Sequence, residues 1–214
     1  MSIPLVFRPG SSVDVDACLS LSHSCDSAHV WQMTLNATDP THSIQVGFRV
    51  EKLPRTITIT HPTDARLLYD DPDTGRLFVV ARPYVPPQPV VPIDPESQDA
   101  PLPLPPPPPR QPIIGYVVAH YDEIRGLAWL DDVCVDEPYR RQKIAAQLVD
   151  GVRVWATEQG ATRLLTAIPT KHAPMIALCQ RLGMTFCGYN DQFFPNHDIA
   201  VLFSLRLARL RRMG

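Results

Sequence analysis

Apolar and polar positions recur along this chain with two different periods, and the change of period marks its elements. Leu77 to Ala81 and Ile113 to Tyr121 are apolar runs of strand length, and Leu127 to Val135 follows a tight turn around Asp122 to Gly126. The last two runs read as a hairpin. From about Arg141 to Glu158 the period lengthens. Ile144, Leu148, Val152 and Trp155 fall at helical spacing, and Gly160 stands just past the end as a C-cap. Strand Leu164 to Ile168, helix Ala173 to Leu182 stopped by Gly183, strand Met184 to Tyr189 and strand Asp198 to Leu207 complete the series. The order β-β-α-β-α-β-β predicts an α/β (α+β) fold with a mixed sheet. The first third is patterned more weakly. Ser11 or Ser12 can cap a short helix over Val13 to Ser22, His29 to Leu35 and Ile44 to Val50 have strand content, and Asp64 to Tyr69 suits one or two helical turns.

Fourteen of the 24 prolines lie between Pro83 and Pro112, ending in the run Pro105 to Pro109. Proline donates no backbone hydrogen bond, so this stretch belongs to neither helix nor sheet and reads as an inserted loop of polyproline II character at about 83–112. Strand-like runs flank it on both sides, which predicts an excursion between neighbouring strands of a single domain spanning 1–214. A docking role for Arg110 and the prolines is the alternative to a solvated loop.

Composition narrows the function classes. A net charge of -2 provides no electropositive field, so neither nucleic acid nor an anionic membrane is expected as a partner. The arginines from Arg206 to Arg212 read as a solvated tail. Five cysteines without a C-x-x-C pair argue against a disulfide framework, and no histidines stand at metal-ligand spacing, so no metal is expected. No apolar run spans a bilayer and no leader precedes the first strand, which makes the cytoplasm the expected compartment. Oligomeric state is left open between monomer and homodimer.

The chemistry is concentrated between Leu130 and Leu148, where a strand passes through an acidic turn into a helix whose first turn is basic and small. Free amides at a helix N-terminus, with the macrodipole, form an anion site, and Arg140, Arg141 and Lys143 add charge to it. A basic first turn opposes the dipole of the isolated helix, and a bound pyrophosphate would relieve that conflict. An ordinary solvated turn is the plain alternative.

These residues resemble the GNAT (acetyl-CoA-dependent N-acetyltransferase) superfamily, whose motif R/Q-x-x-G-x-G/A follows a strand. Here it runs Arg140, Arg141, Gln142, Lys143, Ile144, Ala145, preceded by Tyr139 and by the strand end Val133-Cys-Val-Asp136. Lys143 replaces the first glycine. Asp131-Asp132 matches an acidic pair found before the motif, Arg181-Leu-Gly-Met184 is similar to the family's later helix end, and Phe194 to Val201 looks like the tail of streptothricin acetyltransferases.

The resemblance implies a fold in which the fourth and fifth strands, here Leu127 to Val135 and Leu164 to Ile168, splay apart around acetyl-CoA as co-substrate. It implies pantetheine on the backbone of Val133, Cys134 and Val135, and pyrophosphate on Arg140, Arg141, Gln142, Lys143, Ile144, Ala145 and Ala146. His172 falls where the family has an asparagine near coenzyme A, and Cys179 where it has the tyrosine that protonates the sulfur. Strict alternation puts Asp131 on one face with Trp129, Val133 and Val135, opposite Asp132. Asp131 is therefore expected as the catalytic base, with Cys179 as the candidate acid or a bystander and Asp132 structural. Trp129, Asp131, Asp191 and Asp198 are expected at the acceptor site, which favours a primary amine of a small cationic molecule. The alternatives are a protein N-terminal or lysine acetyltransferase, and a degenerate member that binds acetyl-CoA as a sensor or interaction module.

Overall fold

In chain order the elements are β1 (Leu5–Pro9), α1 (Val15–Leu19), β2 (Ser24–Asp39), β3 (Ser43–Thr60), β4 (Arg76–Pro83), β5 (Gly115–Asp122), β6 (Leu127–Val135), α2 (Ile144–Glu158), β7 (Arg163–Pro169), α3 (Ala173–Arg181), β8 (Thr185–Asn190) and β9 (Ala200–Arg206). The computed structural model describes residues 4–39, 43–60, 68, 75–86 and 111–208. The expected order from β4 onward is observed, with boundaries shifted by one to three residues. Seven strands form a mixed sheet in the order β1-β4-β5-β6-β7-β9-β8. Strands β4 and β5 are antiparallel neighbours from Arg76↔His120 to Ala81↔Gly115. Most of the proline segment between them, at 87–110, lies outside the described residues, as do the expected helical turn at 64–69 apart from Leu68, and the basic tail beyond residue 208.

The first third departs most from the sequence reading. Helix α1 is shorter than expected, a single 3-10 turn (Ser12–Asp14) preceding its five residues. The two short strands expected there are a long antiparallel ribbon, β2 with β3, of 16 and 18 residues. Pro54 does not break it, because Ser27 pairs with Ile57 and His29 with Lys52, leaving residues 53–56 as an unpaired bulge where a missing N–H costs nothing. A two-stranded ribbon needs backing to persist in water. Trp31 and Phe48 supply it by stacking on Phe186 and, respectively, on Phe203 and Tyr189 of the main sheet.

Apolar side chains pack on both faces of the sheet. Helix α2 buries Ile144, Leu148, Val149, Val152 and Ala156 on one face, against Val117 and Ala119 of β5 and Ala128 and Leu130 of β6. On the other face α1 presents Val15 and Cys18 to Tyr116, Val118 and Cys134. Alternation on β5 thus separates the two layers, 117 and 119 to one and 116 and 118 to the other. No helix among the described residues is long and apolar enough to cross a membrane.

One buried charge ties α1 to the sheet edge. Asp14, 2% exposed, accepts hydrogen bonds from Arg8 at 2.6 and 2.8 Å, from Arg82 at 2.9 Å, and from the Ser11 amide and hydroxyl at 3.1 and 3.0 Å. The Arg8 hydrogen bond is the largest influence, and together these contacts hold the carboxyl down at about 2, against the 3.8 of an unperturbed aspartate. The depressed value means that the folded state favours the ionised form, a preference of about 2 kcal/mol. That stabilisation is complete above the ordinary aspartate value and is lost as pH falls from about 4 to about 2. We expect Asp14→Asn to lower stability by about 2 kcal/mol at neutral pH and to flatten the acid limb of the unfolding curve between about pH 4 and 2, measured by urea denaturation at stepped pH.

Candidate active site

Parallel pairing between β6 and β7 lasts for three residues, Leu127↔Arg163, Ala128↔Leu164 and Trp129↔Leu165. Two local features end it. A β-bulge falls on β6, since Val118 faces Asp132 and Ala119 faces Leu130, leaving Asp131 as the extra residue. On β7 the buried Thr166 hydroxyl donates to the Leu130 carbonyl at 3.1 Å, substituting a side chain for the next backbone bond. Beyond this point β7 keeps only β9 as a partner. The strands diverge as the resemblance implied, and a cleft of about 720 Å³ fills the gap. Its walls are β6 from Leu130 to Val135, β7 from Thr166 to Pro169, residues 22–29 at the start of the ribbon, the N-terminal end of α2, and one side of α3 out to Arg181.

At one end of the cleft the backbone is prepared for an anion. Asp136 N–H bonds back to Ile114 O at 2.9 Å, so by alternation the polar groups of Val133 and Val135 point away from β5, into the gap. Helix α2 begins at Ile144, three residues later than expected, because Arg141 and Lys143 both adopt left-handed backbone angles with φ of 65°. Such a conformation costs a residue with a Cβ about 1–2 kcal/mol, and glycine nothing comparable. No side chain caps the helix. The amides of the first turn, from Ile144 to Ala146, therefore face the cleft without an intrahelical partner.

The three cations of this loop have different roles. Arg140 was expected to hold an anion, yet its guanidinium is occupied by three backbone carbonyls: Val135 at 2.9 Å, Ser24 at 2.8 Å and Ser22 at 2.5 Å. It staples the start of the ribbon to the end of β6. Arg141 and Lys143 are exposed and line the cleft, as do Ile144, Ala145 and Ala146. Gln142 does not line it, and its side-chain amide turns back toward Pro138 O. His172 caps α3, with Nδ1 accepting from the Met175 amide at 3.1 Å. That leaves Nε2 as the protonated nitrogen of the neutral ring, 3.5 Å from the Cys25 sulfur across the cleft. Burial pushes the Cys25 thiol up from its ordinary value, so it is a thiol at neutral pH.

At the other end the bulge corrects the expected faces of β6. Ala128 and Leu130 point to the α2 layer, and after the bulge Val133 and Val135 do so as well, while Cys134 joins the α1 layer. Asp131 shares no face with Val133 and Val135. It lies on the side of His120, whose Nδ1 is 2.7 Å from Oδ2 and 2.9 Å from Oδ1. Asp132 turns to that same side, where Tyr116 donates to it at 2.6 Å and His23 Nε2 meets the Tyr116 hydroxyl at 3.1 Å. Both carboxylates line the cleft, against the expectation that only one would.

Of the four residues expected at an acceptor site, only Asp131 lines this cleft. Trp129 precedes the divergence. Asp191 is exposed in the turn after β8. Asp198 is committed to Lys171 at 2.5 Å and Asn196 at 3.0 Å, beside a separate hollow of about 350 Å³ that Trp31 and Thr170 also line. Cys179 is wholly buried within the α2-side core and does not reach the cleft. Burial pushes its thiol up to about 12, which makes it a poor proton donor. Sequence reasoning missed His23, Cys25 and Asp26, which have no motif and reach the cleft only through the ribbon. It also missed His120, although a histidine in register with Tyr116 and Val118 at period two was a visible signal.

The acetyltransferase (GNAT) family model matches residues 110–184, the span that holds the diverging strands, the loop before α2 and helix α3. No curated protein matches the sequence. Among solved structures, a nourseothricin acetyltransferase superposes with a TM-score of 0.71 at 18% identity, covering 95% of this chain and 99% of that one. A Bacillus anthracis str. Ames protein described as a streptothricin acetyltransferase, solved with acetyl coenzyme A, gives 0.67 at 14% identity over 96% and 100%. The ribosomal-protein-S18-alanine N-acetyltransferase of Escherichia coli gives 0.58 at 12% over 99% and 99%. At these identities the shared property is the fold.

The geometry separates the two kinds of cation experimentally. Arg140→Ala removes three charge-assisted bonds and should cost about 2–3 kcal/mol of stability in urea unfolding. Lys143→Gly should leave stability unchanged or raise it by up to about 1 kcal/mol, because relief of the left-handed angle outweighs the added freedom of the unfolded chain.

Proposed function

We propose that this chain is a member of the acetyltransferase (GNAT) family and that it acetylates a primary amine of a small cationic molecule. The observation that carries this reading is the polarity of the cleft. It is cationic and rich in outward amides at the α2 end, and anionic at the bulge, where Asp131 and Asp132 stand side by side. An anionic cofactor and a cationic acceptor would each meet their complement.

Acetyl-CoA brings an acetyl group already activated as a thioester, so the chain has to hold it, admit a neutral amine and manage one proton. The residues present suit that co-substrate. First-turn amides of α2, with Arg141 and Lys143 beside them, would take the pyrophosphate. The gap-facing backbone of Val133 is open for strand-like pairing with pantetheine amides. Asp131, 15% exposed in its side chain, orients an incoming ammonium and accepts its proton. With Cys179 buried, solvent protonates the departing thiolate, which is a weak base near neutral pH.

That absence of a side-chain acid at position 179 favours one second reading, a member that binds acetyl-CoA without efficient turnover. A thiol-release assay over streptothricin-type antibiotics, polyamines and peptides with free N-termini separates the two. The names of the nourseothricin and streptothricin neighbours put the first of these at the head of the panel. Turnover on a small cationic amine supports the proposal, whereas coenzyme A binding with no turnover on any member supports the second reading. We expect coenzyme A to raise the melting temperature, and Asp131→Asn to lower kcat/KM by on the order of a hundredfold or more with coenzyme A affinity nearly unchanged.

A further inference from the structure

We propose that His120 is a positioning residue for the acceptor base: through Nδ1 it fixes the Asp131 carboxylate in the cleft. The inference rests on the reading of Asp131 as the base and extends it to a residue outside the cleft.

Asp131 is the extra residue of a β-bulge, a place where the ladder alone does not fix side-chain direction. An aspartate has two rotatable bonds and, on an irregular backbone, several ways to face. One contact selects among them here. His120 Nδ1 lies 2.7 and 2.9 Å from the two carboxylate oxygens, with His120 36% and Asp131 15% exposed in their side chains. A carboxylate accepts only, so Nδ1 carries the proton in this bond whether the ring is neutral or cationic.

His120 itself does not line the cleft, so it acts on the acceptor only through Asp131. Arg76 of β4 stands opposite it in register, and Asp122 follows two places along β5, itself held by Arg125 at 2.7 Å.

Two substitutions test the idea. His120→Asn keeps a donor at the position of Nδ1, and His120→Ala removes it. On the amine that the wild type turns over best, we expect His120→Asn to keep kcat within about threefold. His120→Ala should lose about tenfold or more in kcat, with the KM for acetyl-CoA and the melting temperature near wild type. The idea is overturned if Asp131→Asn is inactive while both His120 variants keep the wild-type rate. It is also overturned if both lose activity equally. Should Asp131→Asn itself remain active, the base assignment fails, and with it this extension.

Discussion

Three backbone pairings hold β6 to β7, and the rest of the site depends on there being no fourth. Two parallel strands normally continue to pair for as long as both are extended, because each unpaired buried amide or carbonyl costs free energy. Here the cost is avoided locally. The Thr166 hydroxyl satisfies the Leu130 carbonyl, and the bulge at Asp131 turns the ladder of β6 away from β7. Their divergence leaves a strand edge inside the protein, with the polar groups of Val133 facing a cleft instead of a neighbour. An edge of that kind is a pairing site for an extended ligand. The same bulge sets two carboxylates on one side of the sheet, so it contributes both to the gap and to the charge of its lining.

The loop before α2 stores strain at the place where the cleft is most cationic. Arg141 and Lys143 hold left-handed angles that glycine would adopt freely, and the surrounding turn at Glu137–Tyr139 with the Arg140 staple over-determines them. Arg140 spends its charge on carbonyls of Ser22, Ser24 and Val135. It therefore couples the ribbon to the loop before α2, whose exposed cations lining the cleft are Arg141 and Lys143. Counting basic residues in a motif overstates the charge available to a ligand when one of them is a structural donor.

The ribbon of β2 and β3 supplies the facing wall. Its first residues bring His23, Cys25 and Asp26 to the cleft, while Trp31 and Phe48 anchor it on the aromatic side chains of β8 and β9. The two facing walls of the cleft thus come from distant parts of the chain. Arg140 and the Cys25–His172 contact are where the two meet.

From Leu77 onward the elements and their order were legible in the sequence, because the periodicities of β5, β6 and α2 reflect burial on sheet faces and on one helix face. The cationic end of the cleft was legible for the same local reason: a strand, a turn and an uncapped basic helix start are consecutive in the chain. The anionic end was not. Asp132 joins Asp131 on one face because of one extra residue in the ladder, and alternation cannot reveal where a ladder slips. Asp191 and Asp198 suggested a cationic acceptor by their charge, yet folding leaves one exposed and pairs the other with Lys171. Arg140 matched its motif and took carbonyls from a segment 116 and 118 residues away. Cys179 kept its place on α3 but, being short, stayed in the core. Sequence determined which elements form, since that is decided by residues a few positions apart. Which side chains share the cleft was decided by strand register and by hydrogen-bond partners distant in the chain, and these exist only once the sheet has closed.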